Sequence, residues 1–243
     1  MNYRYIAGLA AFGALFHVAS AADGFFESET IFSIGFGGDA VNSMSAAIVP
    51  GGGPYENFAA RATGDGFNYG KSTSSFWDGS SSGYVFAQGG SHSDAFGSAD
   101  EFQGMNFFID ITNNSTFATG SFTVSELLER ALSAAGPFSQ ATAYGGVQEY
   151  IGNNPIGYAT DTLNWDGTYT RNSSGNFADD GNSAPPNYFE ETGSLSDTLT
   201  AGQTVELQIW ASGETHVLTP EPMTMGLGLG VLGLLARRRR KQA

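Results

Sequence analysis

Gly79, Ser80, Ser81, Ser82 and Gly83 have the spacing of a nucleophile elbow, in which Ser81 would be the attacking hydroxyl. An elbow needs a buried strand before the serine, a helix after it and a histidine base. Here Trp77 and Asp78 lead into a Ser/Gly run, so the stretch reads as a flexible loop. Gly35, Phe36, Gly37 and Ala40 approach a dinucleotide fingerprint, but no helix of adequate length fits before Pro50, and they read as a glycine-rich strand end. Gly70, Lys71 and Ser72 end like a phosphate loop, yet Asp65 stands where its first glycine belongs. The sequence therefore assigns no catalytic residue.

Metal and sugar chemistry have weaker signals. Asp161, Asp166, Asp179 and Asp180, with Asn164 and Asn176, offer the oxygen ligands that Ca2+ prefers, but no EF-hand loop threads through them and they read as solvated loop carboxylates. His92 and Asp94 are too few for zinc. No metal or cofactor is assigned, Ca2+ being the one cation such loops would favour. Trp77, Trp165 and Trp210, with the tyrosines, fit either a sugar-stacking face or ordinary core packing.

The elements that must position these groups read mostly as strands. Thr30 to Phe36 places Phe32, Ile34 and Phe36 on one face. Met105 to Thr112 alternates Phe107, Ile109 and Ile111, and Asn113-Asn114 predicts a turn into a return strand from Ser115 to Val124. Asp166-Gly167 predicts a two-residue hairpin turn between Leu163–Trp165 and Thr168–Thr170. A turn at Ala201-Gly202 precedes a strand with Val205, Leu207 and Ile209 on one side. Thr123 and Glu126 as a capping box, then Leu127, Leu128, Ala131, Leu132 and Ala135, with Gly136 and Pro137 as a stop, predict one short helix. Pro50–Gly53, Gly79–Gly83 and Arg171–Pro186 read as loops. The expected fold is all-β: an antiparallel two-sheet sandwich, with a jelly roll as the candidate topology, one short helix, and a C-terminal transmembrane helix.

The two ends of the chain say where it goes. Met1 to Arg4 is a basic start, Tyr5 to Val18 is apolar apart from His17, and Ala19-Ser20-Ala21 forms a small-x-small cleavage site at Ala19 and Ala21. Residues 1–21 thus read as a signal peptide, 22–217 as an acidic β domain, and 218–243 as a sorting and anchor segment. That last segment runs Pro220, Glu221, Pro222, then an apolar stretch from Met223 to Ala236 with Gly226, Gly228, Gly230, Gly233 and Leu235, then Arg237, Arg238, Arg239, Arg240 and Lys241. Its glycines disfavour a helix in water, whereas hydrocarbon leaves a helix as the only way to satisfy the backbone. The terminal cations hold that end on the cytoplasmic side and leave the acidic domain outside.

These residues resemble the PEP-CTERM sorting signal of exported Gram-negative proteins. The resemblance implies recognition of Pro220-Glu221-Pro222 by an exosortase, a stop-transfer role for the arginines, and a link to exopolysaccharide. It covers roughly residues 218 to 241, and Met223 departs from the small residue more usual there. The implied partners are the export machinery, an exosortase, the membrane through the C-terminal helix, and exopolysaccharide. Between Ala22 and Thr219 there are 23 acidic residues against Arg61, Lys71, Arg130 and Arg171, a balance that repels nucleic acid. With no cysteine in the chain, the fold rests on its core alone.

The expectation is a non-enzymatic exported protein. It passes transiently through the inner membrane to the cell surface or extracellular matrix. A secreted polysaccharide-active enzyme and an unprocessed single-pass membrane protein are the alternatives. Mass spectrometry of surface material should find a chain starting at Ala22 or Asp23 and lacking residues through Ala243. An intact tail, unchanged by co-expression of an exosortase, would rule out processing.

Overall fold

The computed structural model describes residues 21–94, 96–136, 138–149, 157–164, 169–175, 178–179 and 188–219. In chain order the strands are β1 (Ala22–Gly38), β2 (Met44–Ile48), β3 (Tyr55–Gly64), β4 (Phe67–Trp77), β5 (Ser82–Ser93), β6 (Gly97–Asn113) and β7 (Gly120–Ala135). There follow β8 (Gln140–Glu149), β9 (Gly157–Asn164), β10 (Tyr169–Gly175), β11 (Ala178–Asp179), β12 (Tyr188–Leu199) and β13 (Thr204–Thr219). They form two antiparallel sheets, a smaller one ordered β11-β12-β7-β1-β5-β4 and a larger one ordered β10-β9-β8-β13-β6-β2, with β3 also pairing β6. The protein is thus an all-β sandwich.

Alternation decides which side chains meet between the sheets. A strand sends every second residue to the same face, so one set of Phe, Val, Ile and Leu can be buried while its neighbours stay wet. From the smaller sheet come Phe26, Phe32, Ile34, Val85, Phe122, Val124 and Leu132; from the larger come Phe107, Ile109, Ile111, Val205, Leu207 and Ile209. The inward faces expected for Phe32 and Ile34, for Phe107, Ile109 and Ile111, and for Val205, Leu207 and Ile209 are all observed. The strands carrying them run well past the expected bounds.

Residues 120–135 form strand β7 where a helix was expected. The helical pattern of Leu127, Leu128, Ala131 and Leu132 coexists with a two-residue period of Phe122, Val124, Glu126, Leu128, Arg130 and Leu132, and the second set is the buried one. Glu126 and Arg130 concealed it, because charged residues at inward positions break an apolar alternation. Pairing on both edges, with β1 and β12, overrides local helix propensity. Among the described residues the only helical piece is a 3-10 turn at Val41–Ser43.

Other expectations shift. Asn113-Asn114 does not open a hairpin: β6 and β7 belong to different sheets. The buried Asn113 amide donates to Ala118 O and Leu199 O, both at 2.9 Å, and ties down the crossing. β9 and β10 pair antiparallel, with Leu163 opposite Tyr169, and the expected Asp166-Gly167 turn between them lies outside the described residues. Arg171–Gly175 is strand and not loop. Gly70-Lys71-Ser72 lies in β4 at a bulge. Residues 1–20, which hold most of the expected signal peptide, and the whole segment from Pro220 to Ala243 lie outside the described residues, as do Trp165, Asp166, Asn176 and Asp180. Among the described residues no helix is long and apolar enough to cross a membrane.

The interior also holds charge. Arg130 Nη2 donates to Glu191 Oε2 at 2.5 Å, with both side chains almost wholly buried. Glu126, 4% exposed, has one oxygen without a protein partner. Burial pushes its carboxyl up to about 8, against partial relief from the Val147 N–H. Burial likewise raises Glu101 to about 7, opposed by the Gly90 N–H and by Lys71. An acid held above its unfolded value of 4.5 contributes stability that is full below pH 4.5 and is lost as pH rises through the folded value. The melting temperature should therefore fall between about pH 4.5 and 8. Glu126→Gln should flatten that slope and raise the midpoint at pH 8; a melting temperature that climbs across this window would contradict the burial of Glu126.

Candidate functional site

The outer face of the larger sheet is built by β3, β6, β13 and β8. Register sets Arg61 beside Asp100 and Asp100 beside His216. It likewise sets Ala59 beside Phe102 and Phe102 beside Glu214, and Asn57 beside Gly104 and Gly104 beside Ser212. Trp210 stands opposite Asn106. Two hollows lie along this face. The first, about 450 Å3, is lined by Arg61, Asp100, Phe102, Gln140, Glu214 and His216 among others. The second, about 210 Å3, is lined by Asn57, Phe102, Asn106, Gln208 and Trp210 among others. Phe102 borders both, so they form one track along the strands.

Gly104 is what lets Phe102 lie flat on this face. A Cβ there would come within 3.1 Å of Ser212 Cβ and 3.4 Å of the Phe102 ring. The polar groups are positioned by one another. Tyr144 O–H donates to Glu214 Oε1 at 2.7 Å, and burial, then that carboxylate, holds the phenol well above its usual range, so it stays a donor. His216 Nδ1–H donates to Asp100 Oδ1, since a carboxylate only accepts. Asn106 Oδ1 is buried without a protein partner. Half-buried aromatic rings set among fixed donors and acceptors suit a ligand with apolar faces and many hydroxyls.

The expected sites fare unevenly. Trp77 turns inward and stacks on Phe32, with ring centroids 5.7 Å apart and planes 9° apart. Trp210 is on the outer face, so the two do not share a surface. The Ser81 hydroxyl donates to Asp78 Oδ2 at 3.1 Å, in a turn between two strands and not at a strand-to-helix elbow. Asp78 Oδ1 also accepts the Ser80 and Ser81 N–H groups at 2.7 Å, and Ser82 Oγ donates to Oδ2 at 2.9 Å. These bonds, led by the Ser81 and Ser80 N–H groups, hold Asp78 well below the usual carboxylate range. The supposed flexible loop is a capped hairpin turn, with Ser82 and Gly83 already in β5. His92 Nε2 donates to Asp94 Oδ1 at 2.9 Å, while Asp23 approaches its other nitrogen at 3.8 Å, so no single ion could use both partners. Among the described residues no group of three or more His, Asp or Glu could hold a metal.

The smaller sheet has aromatic cover too, with Phe76 stacked on Tyr84 at 6.2 Å and Phe67 against His92 at 5.0 Å. Its outer face also sets Glu29, Glu129 and Glu190 in register. Burial, then Glu129 and Glu27, raises Glu29. Sequence reasoning missed Phe102, Tyr144, Asp100 and Glu214 because only the pairing of β6 with β13 and of β13 with β8 brings them together. The alternation of Asp100, Phe102, Gly104 and Asn106 opposite the Phe107 series was the available signal.

No family model matches this chain, and no curated protein matches it. Among solved structures, one described as "Chaperone-tip adhesin complex is vital for synergistic activation of CFA/I fimbriae biogenesis" aligns with 78% of this chain and 80% of that chain. The identity is 9% and the TM-score 0.10, too low to carry an argument. Replacing Asp78 with Ala should speed amide hydrogen exchange at Ser80 and Ser81 while leaving β1 protected. Unchanged exchange at those amides would contradict the capped turn.

Proposed function

We propose that this is an exported surface or matrix protein whose larger sheet binds an extended polysaccharide on its outer face. The supporting observation is the track of Trp210, Phe102 and Tyr144, set among Asn57, Asn106, Gln208, Glu214 and His216. Sugar rings stack their C–H faces on aromatic side chains while their hydroxyls bond to neighbouring amides and carboxylates. A chain lying along β6 would meet both hollows in turn. The acidic surface favours a neutral polymer over an anionic one.

The itinerary belongs to the same proposal and rests on the sequence alone. The signal peptide carries the chain across the inner membrane, residues 223–236 hold it there, and an exosortase reading Pro220-Glu221-Pro222 releases or attaches it among exopolysaccharide. Strands that cross between non-neighbours, β1 with β7 and β13 with β6 and β8, support reading the sandwich as jelly-roll-like.

A polysaccharide-active enzyme is the second reading, favoured by one observation. Asp100 and Glu214 line the same hollow as diagonal cross-strand neighbours, with α-carbons about 7–8 Å apart. Gel-retardation on neutral exopolysaccharide separates the two. The protein should be retarded, Trp210→Ala and Phe102→Ala should each weaken retention about tenfold, and no reducing sugar should be released. Retention unchanged in both variants would refute the binding face, and sugar release lost in Glu214→Gln would establish the enzyme instead.

A further inference from the structure

We propose that the end of the sandwich where β1 begins and β13 ends is a membrane-contacting face, which seats exposed phenylalanines in the headgroup layer of a zwitterionic bilayer. The proposal rests on the reading that residues 223–236 hold the protein in the inner membrane. Register brings the two ends of the domain together. Ala22 stands opposite Ser93, and Thr219 Oγ1 donates to Ser93 O at 3.3 Å. Three turns surround them. Those between β3 and β4 and between β5 and β6 are locked to each other: Asp65 N–H donates to Phe96 O, and Asp65 Oδ2 accepts the Phe96 N–H, both at 3.0 Å. The turn between β7 and β8 packs on the start of β1, where a Cβ at Gly136 would lie 2.8 Å from Ala22 Cα.

Each of these turns carries an exposed phenylalanine: Phe67 at 49%, Phe96 at 46% and Phe138 at 53%, joined by Leu218 on β13 at 40%. Phe138, with φ at 61°, is the one non-glycine residue of positive φ among the described residues. That backbone is uncommon for a bulky side chain, and holding a ring out at a loop tip gives it a purpose. Apolar side chains clustered on neighbouring tips mark a surface that meets protein or lipid. Lipid is favoured by where the chain goes next. Four residue steps separate Thr219 from Met223, a reach of at most about 14 Å, so an apolar run in the bilayer keeps this end beside the headgroups. Tethering raises the local concentration of the face at the bilayer, and a modest apolar contact then suffices.

Charge selects the lipid. Residues 64–67, 93–97 and 135–140 hold Asp65 and Asp94 and no lysine or arginine, and Asp23 adds a third acid at the start of β1. Anionic headgroups would be repelled, whereas zwitterionic ones would not. Two of the acids are already engaged within the protein. Asp65 Oδ1 accepts from Ser93 Oγ at 2.9 Å, and Asp23 Oδ1 accepts from Tyr69 O–H at 2.6 Å. The opposite end of the sandwich supplies a control: Phe117, 90% exposed, stands on the crossing that follows the far end of β6 from Gly97. Seated this way, the domain keeps Pro220, bonded directly to Thr219, at the membrane surface where a membrane-embedded processing enzyme works.

The chain has no cysteine, so a fluorescent label can be placed singly through Phe96→Cys, Phe138→Cys, Phe117→Cys or Leu229→Cys. Each full chain is reconstituted in phosphatidylcholine nanodiscs containing lipid spin-labelled either at the headgroup or deep in the acyl chain. The headgroup quencher should act on labels at 96 and 138 several-fold more than at 117, and the deep quencher on the label at 229. Adding Phe67→Ser and Phe96→Ser together should cut quenching at 138 several-fold and leave 229 unchanged. Quenching at 229 alone, equal quenching at 117, or quenching at 138 that ignores both serines overturns the seated face and leaves the anchor standing. Quenching at 96 and 138 with 229 in water would overturn the anchor while the lipid contact stood, and quenching at no position overturns both.

Discussion

The structure depends on the pairing of β1 along its whole length, with β7 from Asp23 opposite Ala135 to Gly38 opposite Gly120, and with β5 on its other edge. A strand of this length fixes the inward set of three strands at once, because a shift of one residue would send Phe26, Phe32 and Ile34 out to water. Once that register is set, β7 has no freedom to hide its charges. Glu126 and Arg130 are carried inside with Val124, Leu128 and Leu132, and the interior must accommodate them. Arg130 does so through Glu191 on β12; Glu126 does so through the Val147 N–H and by holding its proton. Pairs of this kind are costly to desolvate and add little net stability, so the sandwich stands mainly on its apolar inner faces.

The same register generates the outer faces. Whatever sends Phe107 and Ile109 inward sends Asn106 and Phe108 outward, and β13 answers with Gln208 and Trp210. The track proposed to bind polysaccharide is thus the other half of the alternation that builds the core. At Gly104 that alternation gives up a side chain, and the space goes to the Phe102 ring.

Much of the fold was legible in the sequence because alternation reports burial directly. Phe32 and Ile34, Phe107 to Ile111, and Val205 to Ile209 needed no partner to be read as inward. Residues 120–135 misled because their leucines fit a helical period as well, and because a glutamate and an arginine at inward positions look like solvent residues. Nothing in the local sequence of β7 says that two strands will flank it. The Asp78 turn was misread for a related reason: serines next to glycines suggest disorder until a carboxylate is seen to cap them. The site was barely legible. Trp210 stood out by type, but Phe102, Tyr144, Asp100 and Glu214 come from strands far apart in the chain, and only the pairings of β13 with β6 and β8 unite them.

The central functional claim is that the outer face of the larger sheet holds a polysaccharide chain. Hydroxyl-radical footprinting with and without neutral exopolysaccharide tests it most directly, because it reads the exposure of each aromatic ring on both sheets in one experiment. Binding as described protects Trp210, Phe102 and Tyr144 and leaves Phe67 and Phe76 on the smaller sheet as reactive as before. Protection of Phe67 and Phe76 with Trp210 unchanged would move the ligand to the other face and contradict the account.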